Sequence, residues 1–373
     1  MVFETIAFAV SPPRPGPILP SRPWRILRGE VADRIVTVLG PISPEELGLT
    51  LGHEHLLFDL RCLWESPPPE RSHLADAMPT LENRGELSRD LYDSRPNLFF
   101  DDRAVSIAEV GRFRDAGGGA VVDLTTIGLA PNPEALTEIS RAAGVHVVAG
   151  CGYYRQKCLP GDVLDHSVEA LADELERWVV EGMYGTTVRA GILGELGTSS
   201  PIHPFEERQL RAAARVQRAT GVAINVHPAI WAHEHLRVLD ILESEGADLG
   251  RVALSHCDEL VEPEWHARIA SRGATLCFDT FGAEFSYDAD GTQEPRDTER
   301  IACLTRLLQA GRGAQVLLSH DICTRIQLRR YGGLGFDHIP VSVVPQLRRA
   351  GVSEVEVTRM LVDNPRALLT MQG

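Results

Sequence analysis

The sequence predicts a single (β/α)8 barrel behind an N-terminal extension. Three observations lead there. Apolar runs of four to eight residues recur along the chain, each followed by helix-compatible sequence. Eight such units occupy roughly 270 residues, close to the roughly 250 typical of this barrel. Several runs also close on histidine, aspartate or glutamate, at the strand ends where such a barrel places its chemistry. A doubly wound open sheet is the alternative. The glycine-rich phosphate turn it favours after its first strand is replaced here by GHEHLL.

The chain has 373 residues, 43% hydrophobic and 24% charged, enough to bury a large core. Its formal charge of −15 argues against nucleic acid or an anionic membrane as partner. No apolar run reaches the about 18 residues that span a bilayer. The first residues lack the pattern of a secretory leader. The seven scattered cysteines contain no CxxC pair. Reduced thiols and a cytoplasmic location are therefore expected. The expected partner is a small-molecule substrate, with a homodimer as an allowed assembly.

Residues 1–34 are rich in proline and arginine and read as an extended or disordered arm. The remaining 35–373 read as one domain. A short strand at 35–39 precedes the first barrel strand, Gly48-Leu49-Thr50-Leu51-Gly52-His53-Glu54-His55. Residues 58–100 are broken by prolines and glycines, and a connection this long suggests a lid or pocket wall. Asp101 or Asp102 caps a helix that ends at Gly117-Gly118-Gly119. Strands follow at 120–125, 145–154, 190–196, 222–227, 252–256, 274–280 and 316–321. Their helices are expected over 133–143, 168–181, 205–219, 231–245, 262–271 and 296–310, then near 341–349 and 355–370.

Residues two apart on a strand share a face, so His53 and His55 aim two imidazoles into one volume. Alone, the pair could be ordinary strand histidines. Glu195, His227, His256 and Asp321 end later strands and supply further ligand types. Nitrogen and oxygen donors of this kind can hold two divalent metal ions about 3.5–4 Å apart. Zinc suits them first, with manganese, cobalt or iron as alternatives. His233-Glu234-His235-Leu236 repeats the HEHL letters, but its flanks have helical spacing. Imidazoles two apart on a helix diverge by roughly 200°. They are read as surface or packing residues. His320 should leave the strand opposite to Asp321, and Cys257 opposite to the site.

With these residues in view, the chain resembles the phosphotriesterase-related family of the amidohydrolase superfamily. The likeness runs from about Val36 to Leu369 and rests on GLTLGHEHL, GELG, INVHP, LSHCD, LSHD and the terminal NPRALL. It implies an amidohydrolase-type TIM barrel. His53, His55 and Asp321 would bind one metal, and His227 and His256 the other. A carboxylate on strand four would bridge them. The founding phosphotriesterases use a carboxylated lysine there, whereas this chain has Glu195 and its only lysine is Lys157.

The expected activity is hydrolysis by a metal-bridging hydroxide, with Asp321 and Glu195 as the catalytic carboxylates. Asp321 would orient the nucleophile and carry its proton. The resemblance implies lactones, including sugar-phosphate lactones, carboxylic esters, organophosphates or N-acyl amides. Lactone or carboxylic ester is placed first, because Glu195 replaces the lysine. A non-catalytic metal-binding barrel is the reading from another class. Candidate substrate contacts are Tyr153, Tyr154, Arg155 and Lys157 after strand three, with Tyr287 and Arg325 further on. The cations could bind a phosphate or carboxylate or simply be solvated loop charge.

Overall fold

A computed structural model describes residues 32–288 and 291–372. Nearly all of the expected N-terminal arm lies outside the described residues. The barrel strands are β1 (Leu49–Glu54), β2 (Gly118–Asp123), β3 (His146–Cys151), β4 (Ile192–Gly197), β5 (Ala223–His227), β6 (Val252–Leu254), β7 (Thr275–Phe278) and β8 (Val316–Leu318). All eight lie in one sheet in sequential order, and neighbouring strands pair in parallel. The two ends of the sheet meet where Asp321 N–H donates to the His53 carbonyl at 3.3 Å and His53 N–H to Ser319 Oγ at 3.0 Å.

Helices α1 (Arg103–Asp115), α2 (Pro133–Ala143), α3 (Val168–Val180), α4 (Pro204–Thr220), α5 (His235–Ser244), α6 (Pro263–Ala270) and α7 (Asp297–Gln309) follow the strands. Asp102 caps α1 through Val105 N–H, as its position before the apolar pattern requires. Helix α5 begins four residues later than expected. Trp231, with φ 57°, sits in the preceding loop, and its indole N–H donates to Glu259 Oε2.

Alternation along the strands divides the core in two. Val122, Val148, Ile192, Ala223, Ala253, Cys277 and Leu317 fill the barrel interior, closed below by Leu368 and Leu369. Val121, Val147, Leu193, Ile224, Leu254, Leu276 and Leu318 pack outward in the core shared with the helices. Apolar runs without polar alternation are what strands buried on both faces need.

Two strands break this alternation at their upper ends. Between Leu51 and Glu54, β1 spends three steps where β2 spends two, Val121 to Asp123. Between Leu193 and Leu196, β4 does the same against β5. Leu51 faces outward, so an unbroken strand would carry His53 and His55 outward too. The bulge turns both inward and leaves Glu54 outside. In β4 the equivalent irregularity turns Glu195 into the barrel. Gly194 sits at this point with φ 137°, and a Cβ there would lie 2.4 Å from the Asn225 carbonyl.

The segment expected to be irregular, 58–100, contains a two-stranded ladder of Phe58–Asp59 with Phe99–Phe100 and several short helical turns. Its Leu74, Leu87 and Leu91 pack with Phe285, Tyr287 and Ile326 from the later loops. It therefore forms a wall beside the barrel mouth. Cys62 and Cys158 are joined in a disulfide between this segment and the loop after β3. This corrects the expectation of seven reduced thiols and removes the sequence argument for a cytoplasmic location. The five remaining cysteines are free.

Candidate metal centre

The six residues singled out at strand ends converge at the upper end of the barrel. His53 Nε2 and His55 Nε2 are 3.4 Å apart. Asp321 Oδ1 lies 3.5 Å from the first and 3.2 Å from the second. Glu195 Oε1 is 3.3 Å from His55 Nε2, while Glu195 Oε2 is 3.1 Å from His227 Nδ1 and 3.8 Å from His256 Nε2. One carboxylate thus faces both halves of the cluster. His256 (φ 56°) and Asp321 (φ 49°) adopt left-handed backbone just beyond β6 and β8. Such strain in non-glycine residues gathers at functional sites.

The outer nitrogen of each ring fixes which nitrogen faces the centre. His53 Nδ1–H donates to Asp279 Oδ2 at 2.7 Å. His55 Nδ1–H donates to Thr125 Oγ1, whose own hydroxyl is spent on the Leu57 carbonyl. His227 Nε2 faces the Tyr154 hydroxyl at 3.4 Å, and His256 Nδ1 faces Asp279 Oδ1 at 3.3 Å. The nitrogens turned to the centre are His53 Nε2, His55 Nε2, His227 Nδ1 and His256 Nε2. Partners of this kind set tautomer and ring orientation at metal sites.

Asp279 also accepts the His256 backbone N–H at 2.7 Å. Sequence reasoning missed it, although it ends the apolar run of β7 as the other site residues end theirs. Glu54, the middle letter of GHEHL, was also missed. Its carboxylate accepts from Ser319 Oγ, His320 N, His320 Nδ1 and Ile322 N, which pins the turn carrying Asp321. His320 is spent on Glu54 and the Ile339 N–H, outside the centre as expected. Cys257 is buried, with its thiol on the Leu254 carbonyl.

The donor set fits divalent cations. Asp321 Oδ1 is a buried acceptor with no hydrogen bond. His227 Nδ1 and His256 Nε2 approach to 2.7 Å, where one ring donates to the other or both turn a lone pair to a cation. Three overlapping groups can hold an ion: His53, His55 and Asp321; Glu195, His227 and His256; and His53, His256 and Asp279. The third is the orienting arrangement just described.

Burial and neighbouring charges pull the groups of the centre in opposite directions. Burial alone would depress His55, but the carboxylates of Asp321 and Glu195 beside it outweigh this and raise the imidazole to about 10. Burial pushes Glu195 up, and the surrounding histidines override this and hold it well below the usual carboxylate range. Burial pulls His227 down to about 4.

The candidate substrate contacts divide. Tyr154 turns inward, its ring edge-to-face with His227 at 4.9 Å. Its neighbour Tyr153 turns outward, with its hydroxyl on Glu174 and its ring among Trp178 and Phe205. Lys157 is exposed and pairs with Glu65 at 3.0 Å. Arg325 donates to the carbonyls of Pro96 and Phe99 and to the Tyr331 hydroxyl. Tyr153 thus packs outside the barrel, Lys157 stands paired on the surface and Arg325 braces the loops. Alternation explains the first, and satisfied donors the others. Tyr287 is buried with its hydroxyl on Glu294 Oε1 at 2.6 Å. It stands in an aromatic wall with Tyr92 and Trp231, neither of which was singled out from the sequence. Arg155 is half-buried beside Tyr154. The decoy histidines stay apart: His233 pairs with Glu262 on the surface, and His235 is buried against Trp265.

A parallel eight-stranded barrel with histidines and carboxylates gathered at its strand ends belongs to the class of metal-dependent hydrolases. The particular assignment follows from comparison: the chain belongs to the phosphotriesterase family, whose sequence profile matches residues 33–369. It is 34% identical to an N-acetyltaurine hydrolase of Tetraodon nigroviridis, over 92% of this chain and 99% of that protein. Its structure is similar to that of a resiniferatoxin-binding protein from Rhodobacter sphaeroides, with TM-score 0.89, 40% identity, and coverage of 92% and 97%. It is also similar to a mutant of a Deinococcus radiodurans PTE-like lactonase, with TM-score 0.71, 28% identity, and coverage of 90% and 99%.

Proposed function

We propose that this chain hydrolyses a carboxylic acyl bond, an N-acyl amide first and a lactone or ester second, with two divalent metal ions. The observation that carries the reading is the convergence of four imidazole nitrogens and Asp321 Oδ1 around Glu195. His53, His55 and Asp321 would hold one ion, His227 and His256 the other, with Glu195 between them. Zinc is the first choice for nitrogen and oxygen donors without thiolate. The ions would supply acidified water and polarisation of the scissile carbonyl.

The chain's own residues do the remainder. Asp321 Oδ1 has no hydrogen bond and can take the proton of the attacking water. It then returns that proton to the leaving nitrogen or oxygen. The products are a carboxylic acid and an amine or alcohol, and water balances the equation. Asp279 and Thr125 hold the His53 and His55 rings while charge moves. Tyr92, Trp231 and Tyr287 supply an apolar wall for the substrate's body.

Amide is placed ahead of the lactone expected from sequence because the N-acetyltaurine hydrolase matches along nearly its whole length. The lactone reading is kept because the Deinococcus lactonase shares the barrel at 28% identity. Organophosphate cleavage stands behind both. The test is a panel of N-acyl amides, lactones, esters and a phosphotriester on zinc- or manganese-loaded protein. Hydrolysis that disappears with chelation and returns with metal is expected. Activity that survives full metal removal, or an inert loaded protein across the panel, overturns the reading.

A further inference from the structure

We propose that Arg155 is a fixed anchor for an anionic group on the substrate, so that the enzyme selects acyl compounds carrying a carboxylate, sulfonate or phosphate. The inference rests on the proposed acyl hydrolysis and names the substrate class for that same site.

The first observation is an unpaired cation. In a chain of net charge −15, Arg155 makes no ion pair or side-chain hydrogen bond among the described residues. Its Nε is buried and without a partner. Other arginines and the lysine near the barrel mouth are spent: Lys157 on Glu65, Arg71 on Asp93, Arg325 on backbone carbonyls. A buried donor left unsatisfied is costly, and a ligand that accepts from it removes that cost.

The second observation is rigidity. Tyr154 N–H donates to the Ile127 carbonyl at 2.8 Å, and Gly197 N–H to the Tyr153 carbonyl at 3.1 Å. Gln156 N–H donates to Glu206 Oε1 at 3.0 Å. Gly197 presses against this backbone so closely that a Cβ would lie 2.3 Å from Arg155 N. Three residues on, Cys158 is tied to Cys62. Arg155 therefore leaves a backbone fixed on both sides, and a pre-organised cation binds an anion with less ordering cost.

The third observation is direction. Arg155 directly follows Tyr154, whose ring meets that of His227 edge-to-face at 4.9 Å, and its charge lies within electrostatic reach of Tyr92. This places it on the His227 side of the centre, near the aromatic wall. The Tyr92 hydroxyl has no hydrogen bond to the described protein and can donate to the same anion. Charge-assisted bonds from a guanidinium suit the flat edge of a carboxylate, or two oxygens of a sulfonate or phosphate.

The experiment uses metal-loaded full-length protein and two matched pairs. The amides are N-acetyltaurine and neutral N-acetylethanolamine. The esters are the sulfonate 2-acetoxyethanesulfonate and neutral 2-methoxyethyl acetate. Wild type should favour the charged member of whichever pair it hydrolyses. Arg155→Gln should raise KM for that member about 10–100-fold, with kcat, metal content and the neutral substrate little changed. Arg155→Lys should recover part of the loss. Equal kcat/KM for charged and neutral members, or equal loss on both in Arg155→Gln, overturns the anchor and leaves acyl hydrolysis standing. Hydrolysis of neither pair, with lactones also left intact, overturns the reading beneath it.

Discussion

Asp279 accepts the Nδ1–H of His53 at 2.7 Å and, through its other oxygen, the backbone N–H of His256. One carboxylate just beyond β7 therefore orients both halves of the centre. Asp279→Asn keeps shape and an acceptor but removes the charge. Metal affinity should fall about 10–100-fold, as it does when an orienting partner is lost. Chelator competition measures this, and circular dichroism should stay native. Unchanged affinity would reduce Asp279 to a structural hydrogen bond.

The barrel and the six converging residues were legible because an apolar run that ends in His, Asp or Glu is a strong pattern. Asp279 ended its run in the same way, and only its role on the far side of the ring was hidden. The bulges in β1 and β4 were not legible, because register against a neighbouring strand is a property of two chains of residues. They decide which face His53 and Glu195 take. The substrate loop was read too generously. Alternation alone separates Tyr154 from Tyr153, but no local signal tells that Arg325 spends its donors on carbonyls far away in sequence. The Cys62–Cys158 bond, with its ends 96 positions apart, carries no sequence signature among seven scattered cysteines.

That disulfide links two loops at the mouth and should stabilise the fold. Cys62→Ser should lower unfolding free energy by about 2–4 kcal/mol, the usual range for such a closure. Denaturant titration of metal-loaded protein with and without reductant reads the effect. Thiol titration after denaturation should find the five free cysteines only. Seven thiols in the native preparation would refute the bond.

His235 supplies an acid-sensitive element away from the metals. Burial, aided by nearby histidines, drops its imidazole to about 3 from an ordinary 6.5. Between those values the unfolded chain binds a proton that the folded chain refuses. Its contribution is full above pH 6.5 and is lost progressively as pH falls toward 3. His235→Phe should therefore flatten this part of the acid destabilisation. Urea unfolding of metal-free protein at pH 7.5 and pH 4.5 measures it. Metal content of the reloaded variant, and of His233→Ala, should equal wild type. A lost metal in either would mean the repeated HEHL letters bind metal after all.

Glu195 is the residue on which the two halves of the centre meet. Its Oε1 faces His55 and its Oε2 faces His227 and His256. The lysine-bridged relatives need carbon dioxide to make an equivalent ligand, and here the only lysine, Lys157, is exposed and paired with Glu65. A bridge that is already a carboxylate needs no modification. Metal uptake should then be insensitive to bicarbonate, and Lys157→Met should bind two ions as wild type does. Glu195→Gln leaves the cavity filled but removes an anion between two dications. Bound ions are the largest charges in such a site, so the missing negative charge should weaken at least one ion substantially. Metal analysis after dialysis against a graded chelator series separates the outcomes. If Glu195→Gln keeps both ions at wild-type affinity, or Lys157→Met loses one, the bridge lies elsewhere and the bulge in β4 does not serve the centre.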